Sequence, residues 1–197
     1  MISGPSGTGK GAICSGLLAD ENTAVSVSMT TRAPRDYEIE GENYYFVNKE
    51  RFLEILSENG FYEHAEIYGE FYGTPKKPVE ELLEKGLDVI LEIDVNGGMQ
   101  VREQMPEAVL IFIMPPSPEE LRSRIEGRGT ETKERIARRL ERSSGEIDHL
   151  GEYDYCVIND DLEKAIQDVK VIMQAEKLRV GDDTEKIIRQ YHAGILV

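Results

Sequence analysis

Short apolar and β-branched runs recur along the chain, separated by amphipathic stretches. Thr23 to Met29, Asp88 to Asp94, Val109 to Met114 and Tyr155 to Ile158 each carry the density of Val, Ile, Leu or Phe expected of buried strands. Between them, Val79 to Leu83, Gly97 to Met105, Pro118 to Ile125 and Leu162 to Leu178 place apolar residues at helical spacing. Strand, helix, strand in this rhythm predicts an α/β fold, a mostly parallel sheet covered by helices on both faces. No repeat, low-complexity tract or linker divides the sequence, and 197 residues suit one compact domain.

Two stretches break the rhythm. From Thr31 to Lys77 the chain is rich in Tyr, Gly and Glu. A helical patch at Phe52, Ile55 and Leu56 lies between short strands expected around Tyr44 to Val47 and Phe61 to Tyr68. This predicts a small inserted unit with mixed or antiparallel sheet. From Glu119 to Ser143 an arginine-rich helix pair is joined by Gly127, Arg128 and Gly129, a junction suited to a mobile cover. The predicted division is therefore a core of 1–30, 78–118 and 144–197, an insert of 31–77 and a helical lid of 119–143. After Val180, Asp183 and Thr184 are candidate caps for a short helix bearing Ile187, Ile188 and Tyr191, whose apolar face packs on the body or on a second subunit, a possible homodimer.

Charge changes the picture by exclusion. A net charge of −15 opposes binding of a nucleic-acid backbone, which depends on many Lys and Arg neutralising phosphates. A small phosphate ligand needs only a few local cations, and Arg122, Arg124, Arg128, Lys133, Arg135, Arg138, Arg139 and Arg142 fall close together. Taken alone that cluster reads as a solvated face, because Glu119, Glu120, Glu126, Glu131, Glu134 and Glu141 are interleaved with it. No apolar run approaches a membrane span and no basic segment leads into an apolar one, so the chain is expected in the cytoplasm. Cys14 and Cys156 lack metal-ligand spacing and are expected to be reduced, buried thiols.

The most specific local signal is Gly4-Pro5-Ser6-Gly7-Thr8-Gly9-Lys10, a G-x-x-x-x-G-K phosphate loop placed just before a helix through Ile13, Leu17 and Leu18. Glycines let backbone N–H groups turn toward phosphate oxygens, the helix N-terminus adds partial positive charge, and Lys10 adds a full one. Where the pattern asks for a Ser or Thr hydroxyl on Mg²⁺, Gly11 and then Ala12 stand instead. Only Met1 and Ile2 precede Ser3, so the strand feeding the loop is expected to be short.

Ser26-Val27-Ser28-Met29-Thr30-Thr31-Arg32-Ala33-Pro34-Arg35 follows, then Gly41, Tyr44, Phe46, Glu63 and Tyr72-Gly73-Thr74. With Leu91-Glu92-Ile93-Asp94-Val95, Arg124-Ile125-Glu126-Gly127-Arg128-Gly129, Arg139-Leu140 and Val157-Ile158-Asn159-Asp160-Asp161-Leu162, the sequence resembles the guanylate kinase family from Ser3 to Leu178. The resemblance implies a P-loop NTPase-type fold and phosphoryl transfer from ATP to GMP, and to dGMP, with Mg²⁺ held mainly by phosphates and water. It assigns Gly4, Pro5, Ser6, Gly7, Thr8, Gly9, Lys10 and Gly11 to ATP. Arg32, Arg35, Tyr44 and Tyr72 are assigned to the GMP phosphate, and Ser28, Glu63, Thr74 and Asp94 to the guanine base. Lys10, Arg124, Arg128, Arg139 and Asp94 are the implied catalytic set, Asp94 orienting metal-bound water.

Those assignments make chemical sense. Two guanidinium forks suit a phosphate dianion, and tyrosine hydroxyls add directional donors without charge. Guanine presents N1–H and an exocyclic amine side by side, matching the two oxygens of Glu63, while its O6 accepts from a hydroxyl of Ser28 or Thr74. Adenine would turn an acceptor toward the carboxylate, a mismatch worth ~10⁴ or more. Two rivals remain: a guanylate-kinase-like binding module, favoured by the missing hydroxyl at Gly11, and a kinase of another small phosphate ester.

Overall fold

The computed structural model describes residues 1–127, 133–181 and 184–195, apart from the side chains of Lys133 and Arg135. Arg128 and Asp183, singled out above, lie outside the described residues. The strands are β1 (Ile2–Ser3), β2 (Thr23–Val25), β3 (Met29–Thr30), β4 (Tyr45–Phe46), β5 (Phe61–Ile67), β6 (Glu70–Pro75), β7 (Asp88–Ile90), β8 (Ile111–Met114) and β9 (Tyr155–Ile158). The helices are α1 (Lys10–Leu17), α2 (Lys49–Ser57), α3 (Lys76–Glu84), α4 (Val95–Gln104), α5 (Pro118–Glu126), α6 (Lys133–Ile147), α7 (Leu162–Lys177) and α8 (Thr184–His192).

Parallel pairs β1–β8, β8–β9 and β2–β7 form the main sheet. Its two parts are joined by Ile2 N–H to Leu91 O (2.9 Å) and Ile93 N–H to Ile2 O (3.3 Å), so the strands run β2, β7, β1, β8, β9. The period-2 alternation of strands sorts neighbours to opposite faces. Ile90, Ile111 and Ile113 pack with Ile13, Leu17, Ala165 and Val169 of α1 and α7. Leu91 and Ile93 pack with Val79 and Val101 of α3 and α4 on the other side. This is the doubly covered parallel sheet expected from the strand-helix rhythm.

A second sheet, ordered β4, β3, β6, β5, carries mixed pairing, β3 with β4 parallel and β3 with β6 antiparallel. Tyr68 and Gly69 both take positive φ (55° and 86°) at the β5–β6 turn, the backbone twist that a two-residue hairpin loop favours. Phe52 of α2 lies fully buried on this sheet, its ring stacked on Phe61 at 4.4 Å. The second sheet and the helix packed on it thus lie within 29–75.

Five readings change. Thr23 to Met29 is not one strand, because β2 pairs with β7 while Ser28 O accepts from Tyr45 N–H in the second sheet; the alternation continues through Ser26 and Ser28 and cannot reveal a change of partner. The run from Asp88 ends as a regular strand at Ile90, and Asp94 becomes the N-cap of α4. Glu70–Pro75 is a strand that the sequence reading did not name. Cys14 is buried as expected, but Cys156 is exposed, because β9 is the edge strand and turns Val157 inward and Cys156 outward. The α8 apolar residues Ile187, Ile188 and Tyr191 are exposed rather than packed on the body. Among the described residues no helix is long and apolar enough to cross a membrane.

Candidate active site

The phosphate loop connects β1 to α1. Gly4 has φ +136°, and a Cβ there would lie 2.3 Å from Ile113 O; Gly9, the α1 N-cap, has φ +90° and leaves room for Asn159 Nδ2, which would otherwise be 2.4 Å away. Asn159 donates to Thr8 O at 2.7 Å, and Thr8 Oγ1 donates to Pro5 O at 2.9 Å. The turn is therefore fixed from within and from the end of β9. No side chain caps α1, so its first N–H groups remain oriented for an anion. Lys10 Nζ donates to Gly4 O (2.5 Å) and Pro5 O (3.1 Å), folding back over the loop. Burial lowers the Lys10 pKa, opposed by the carboxylates of Glu92, Glu146 and Asp94.

A cleft of 380 Å³ opens above the loop, lined among others by Gly4, Ser6, Lys10, Asp94, Arg139 and Arg142. Arg139 reaches it from α6 and donates to Ser6 Oγ. Asp94 caps α4 through Oδ1, accepting from Gly97 N–H at 2.9 Å, while Oδ2 accepts from Arg142 at 2.9 Å. Arg124 lies on α5 and pairs with Glu120 at 2.8 Å, so that arginine follows the salt-bridged reading of the cluster. The first half of the expected lid is anchored: Leu121 and Ile125 are buried, within 3.3 Å of where a Gly7 Cβ would be.

The inserted sheet brings two further groups together. Glu63 is buried on β5 and accepts from Thr74 Oγ1 of the paired β6 at 2.7 Å. Its Oε2 lies 3.1 Å from where a Gly97 Cβ would stand, so the absence of a side chain at Gly97 lets the carboxylate approach the N-terminus of α4 beside Asp94. Burial raises the Glu63 pKa, the hydrogen bond from Thr74 opposes this, and the charge of Asp94 adds to the rise. Arg32 stands 5.2 Å from the Tyr44 ring centroid, and Tyr44 packs edge-on against Tyr72 at 6.1 Å. Burial pushes the Tyr44 hydroxyl up, keeping it a neutral donor. Ser28 is half-buried at the entry to β3.

Glu38, which the sequence reading did not single out, grips both Arg32 and Arg35, the arginines that the resemblance assigns to the acceptor phosphate. Its oxygens accept from Arg32 Nη1 and Nη2 at 2.7 Å each and from Arg35 N–H at 2.8 Å. The Arg32 fork holds the Glu38 pKa down to about 2. Arg35 turns its guanidinium to Tyr37 OH at 2.9 Å and is 61 % exposed. Glu92, Asn159 and Arg142 were also missed as site residues. Glu92 and Asn159 lay inside quoted motifs, but no local spacing announced their aim at the loop.

The metal question turns on Gly11. A Cβ there would meet Glu92 Oε1 at 3.4 Å, so a carboxylate flanks the place where the pattern expects a hydroxyl. Oxygen donors of this kind suit a hard divalent cation. Among the described residues no group of three His, Cys, Asp or Glu could hold a metal unaided.

Comparison with known proteins agrees with this geometry. The family model described as "Guanylate kinase" matches residues 1–176. Guanylate kinase from Clostridium tetani is 50% identical over 188 residues, covering 95% of this chain and 90% of the relative. That from Escherichia coli is 44% identical over 189 residues, covering 94% and 91%. The crystal structure of guanylate kinase from Anaplasma phagocytophilum superposes with a TM-score of 0.71 at 40% identity, covering 91% of this chain and 87% of that one. With a family match across nearly its whole length and a glycine-rich loop of the phosphate-binding pattern between β1 and α1, the chain belongs to the guanylate kinase family, a family of ATP:GMP phosphotransferases.

Proposed function

We infer that this chain transfers the terminal phosphoryl group of ATP to GMP, giving ADP and GDP, in the cytoplasm where both substrates occur. The observation that carries the reading is the position of Asp94. It lines the same cleft as Lys10 and Arg139, and it caps the helix end that Glu63 approaches from the insert. A donor cradle and an acceptor base site therefore meet at one residue.

In this reading Glu63 accepts from guanine N1–H and the exocyclic amine, with Thr74 and Ser28 offering hydroxyls. Arg32, Arg35, Tyr44 and Tyr72 hold the acceptor phosphate. That phosphate is already an anionic nucleophile near neutral pH, so the chain supplies no dedicated base and catalysis is alignment plus charge stabilisation. Lys10, Arg139, Arg124 and Arg128 provide that stabilisation from the loop and the lid. The metal would be Mg²⁺, held mainly by phosphate oxygens and water, with Glu92 and Asp94 as the carboxylates nearest to orient that water, and when bound it would neutralise charge on the phosphate chain of ATP. The assigned side chains read base and phosphate but not ribose, so dGMP is a substrate as well.

A coupled ADP assay with GMP, dGMP, AMP and UMP tests this. Turnover with the two guanine nucleotides is expected, with AMP lower by ~10⁴ or more and UMP also strongly disfavoured. Lys10→Ala is expected to lose ~10²-fold or more in kcat with its fold intact. GMP binding without ADP formation by the purified protein would instead identify a binding module.

A further inference from the structure

One face of α6 is turned toward the cleft above the phosphate loop. Arg139, Arg142, Ser143 and Glu146 all line that cleft, and their spacing of i, i+3, i+4 and i+7 is that of a single helical stripe. Three of the four are engaged: Arg139 donates to Ser6 Oγ, and Arg142 donates to Asp94 Oδ2 and to Glu146 Oε1. Ser143 stands in the middle of the stripe, 1% exposed, and its hydroxyl has no hydrogen-bond partner among the described residues.

A serine in a helix can return its hydroxyl to the carbonyl one turn back, as Ser15 does to Gly11 O at 2.8 Å; Ser143 does not. The hydroxyls of Ser3 and Tyr153 also lack partners, but neither residue is among those that line the cleft. A buried hydroxyl left unpaired carries a free-energy cost that a hydrogen bond would remove. The same cleft is lined by Gly4, Ser6 and Lys10 of the loop, beside the uncapped start of α1. Phosphate oxygens are strong acceptors, and a hydroxyl donates to them without adding charge. The loop offers no hydroxyl directly after Lys10, where Gly11 stands, and Thr8 commits its own to Pro5 O. Rotation about χ1 alone carries a serine hydroxyl between staggered positions, so Ser143 can present it to the cleft without movement of α6.

We propose that Ser143 is a further nucleotide-binding residue, its hydroxyl donating to a phosphate oxygen of ATP from the α6 wall of the cleft. The proposal rests on the reading that this cleft takes ATP. The free chain carries the unpaired hydroxyl, and ATP supplies its partner. Stability of the free chain and affinity for ATP therefore oppose each other at this position.

The test is calorimetric titration of ATP, and separately of GMP, into the wild type, Ser143→Ala and Ser144→Ala, with the Tm of each free protein. Ser144 is the exposed neighbour on α6, so Ser144→Ala reports the change in helix propensity alone. The expected result is an ATP Kd raised by about three- to tenfold in Ser143→Ala and unchanged in Ser144→Ala, with the GMP Kd unchanged in both. Free Ser143→Ala should melt no lower than the wild type, because removing an unpaired hydroxyl orphans no other group. An ATP Kd for Ser143→Ala within about twofold of the wild type overturns the proposal, as does a rise that is equal for GMP or confined to it. A free Ser143→Ala protein that melts below the wild type shows a brace of the fold and overturns it too. Failure of the wild type to bind ATP overturns the reading of the cleft itself.

Discussion

Glu63 is pulled in two directions by its surroundings. Its pKa is raised, mainly by burial, so the folded chain holds that proton more tightly than the unfolded chain. The linkage sign follows: the stabilising contribution of this proton is fully present below the unfolded glutamate pKa and is lost as pH rises through the folded value. The guanine reading proposed for Glu63 has the opposite requirement, because only the carboxylate offers two acceptors. Between the ordinary glutamate range and neutrality, rising pH should lower the thermal stability contributed by Glu63 and raise GMP affinity. Tm and GMP Kd measured across that range in the wild type and in Glu63→Gln test this, and both Glu63-dependent trends should vanish in the variant. The second ionisation of GMP itself, with a pKa near ~6, remains in the variant and is subtracted. The depressed Glu38 acts at lower pH, its pairing with Arg32 lost only as pH falls toward about 2.

At the scale of elements, β9 controls the phosphate loop through one side chain. Asn159 is 6% exposed and donates to the carbonyl of Thr8, which is wholly buried. Asn159→Ala leaves that carbonyl without its partner, at a cost of about 1–3 kcal/mol. Differential scanning calorimetry should show Tm lower by several degrees. Steady-state kinetics should show KM for ATP rising more than KM for GMP, because the loop and not the insert loses its support. A stability loss with both KM values unchanged would make the contact a fold brace alone. The insert depends on packing of a different kind, Phe52 of α2 stacked on Phe61 of β5, which holds Glu63 and Thr74 at one end of the hairpin.

For the whole molecule, a net charge of −15 means that the folded state carries substantial self-repulsion. Salt screens exposed charges beyond a Debye length of ~10 Å at 0.1 M. Raising NaCl from ~10 mM to ~150 mM should therefore increase Tm by a few degrees, whereas a fold held mainly by surface ion pairs would lose stability over the same range. Arg142–Asp94, Arg124–Glu120 and Lys164–Asp168 are surface pairs that salt would weaken, each worth little alone.

The sequence by itself determined the doubly covered parallel sheet, the phosphate loop and the existence of the insert. Apolar periodicity, glycine spacing and a lysine at a helix start are local properties, and local properties are written in neighbouring residues. Only tertiary structure decided that Thr23 to Met29 divides between two sheets, that Cys156 faces out, and that Glu38 holds Arg32 and Arg35. The same is true of Glu92 beside Gly11, Asn159 against Thr8, and Arg142 on Asp94. Each of those depends on groups far apart in the chain meeting at hydrogen-bond distance, and such meetings follow from how sheets and helices pack rather than from any spacing along the chain.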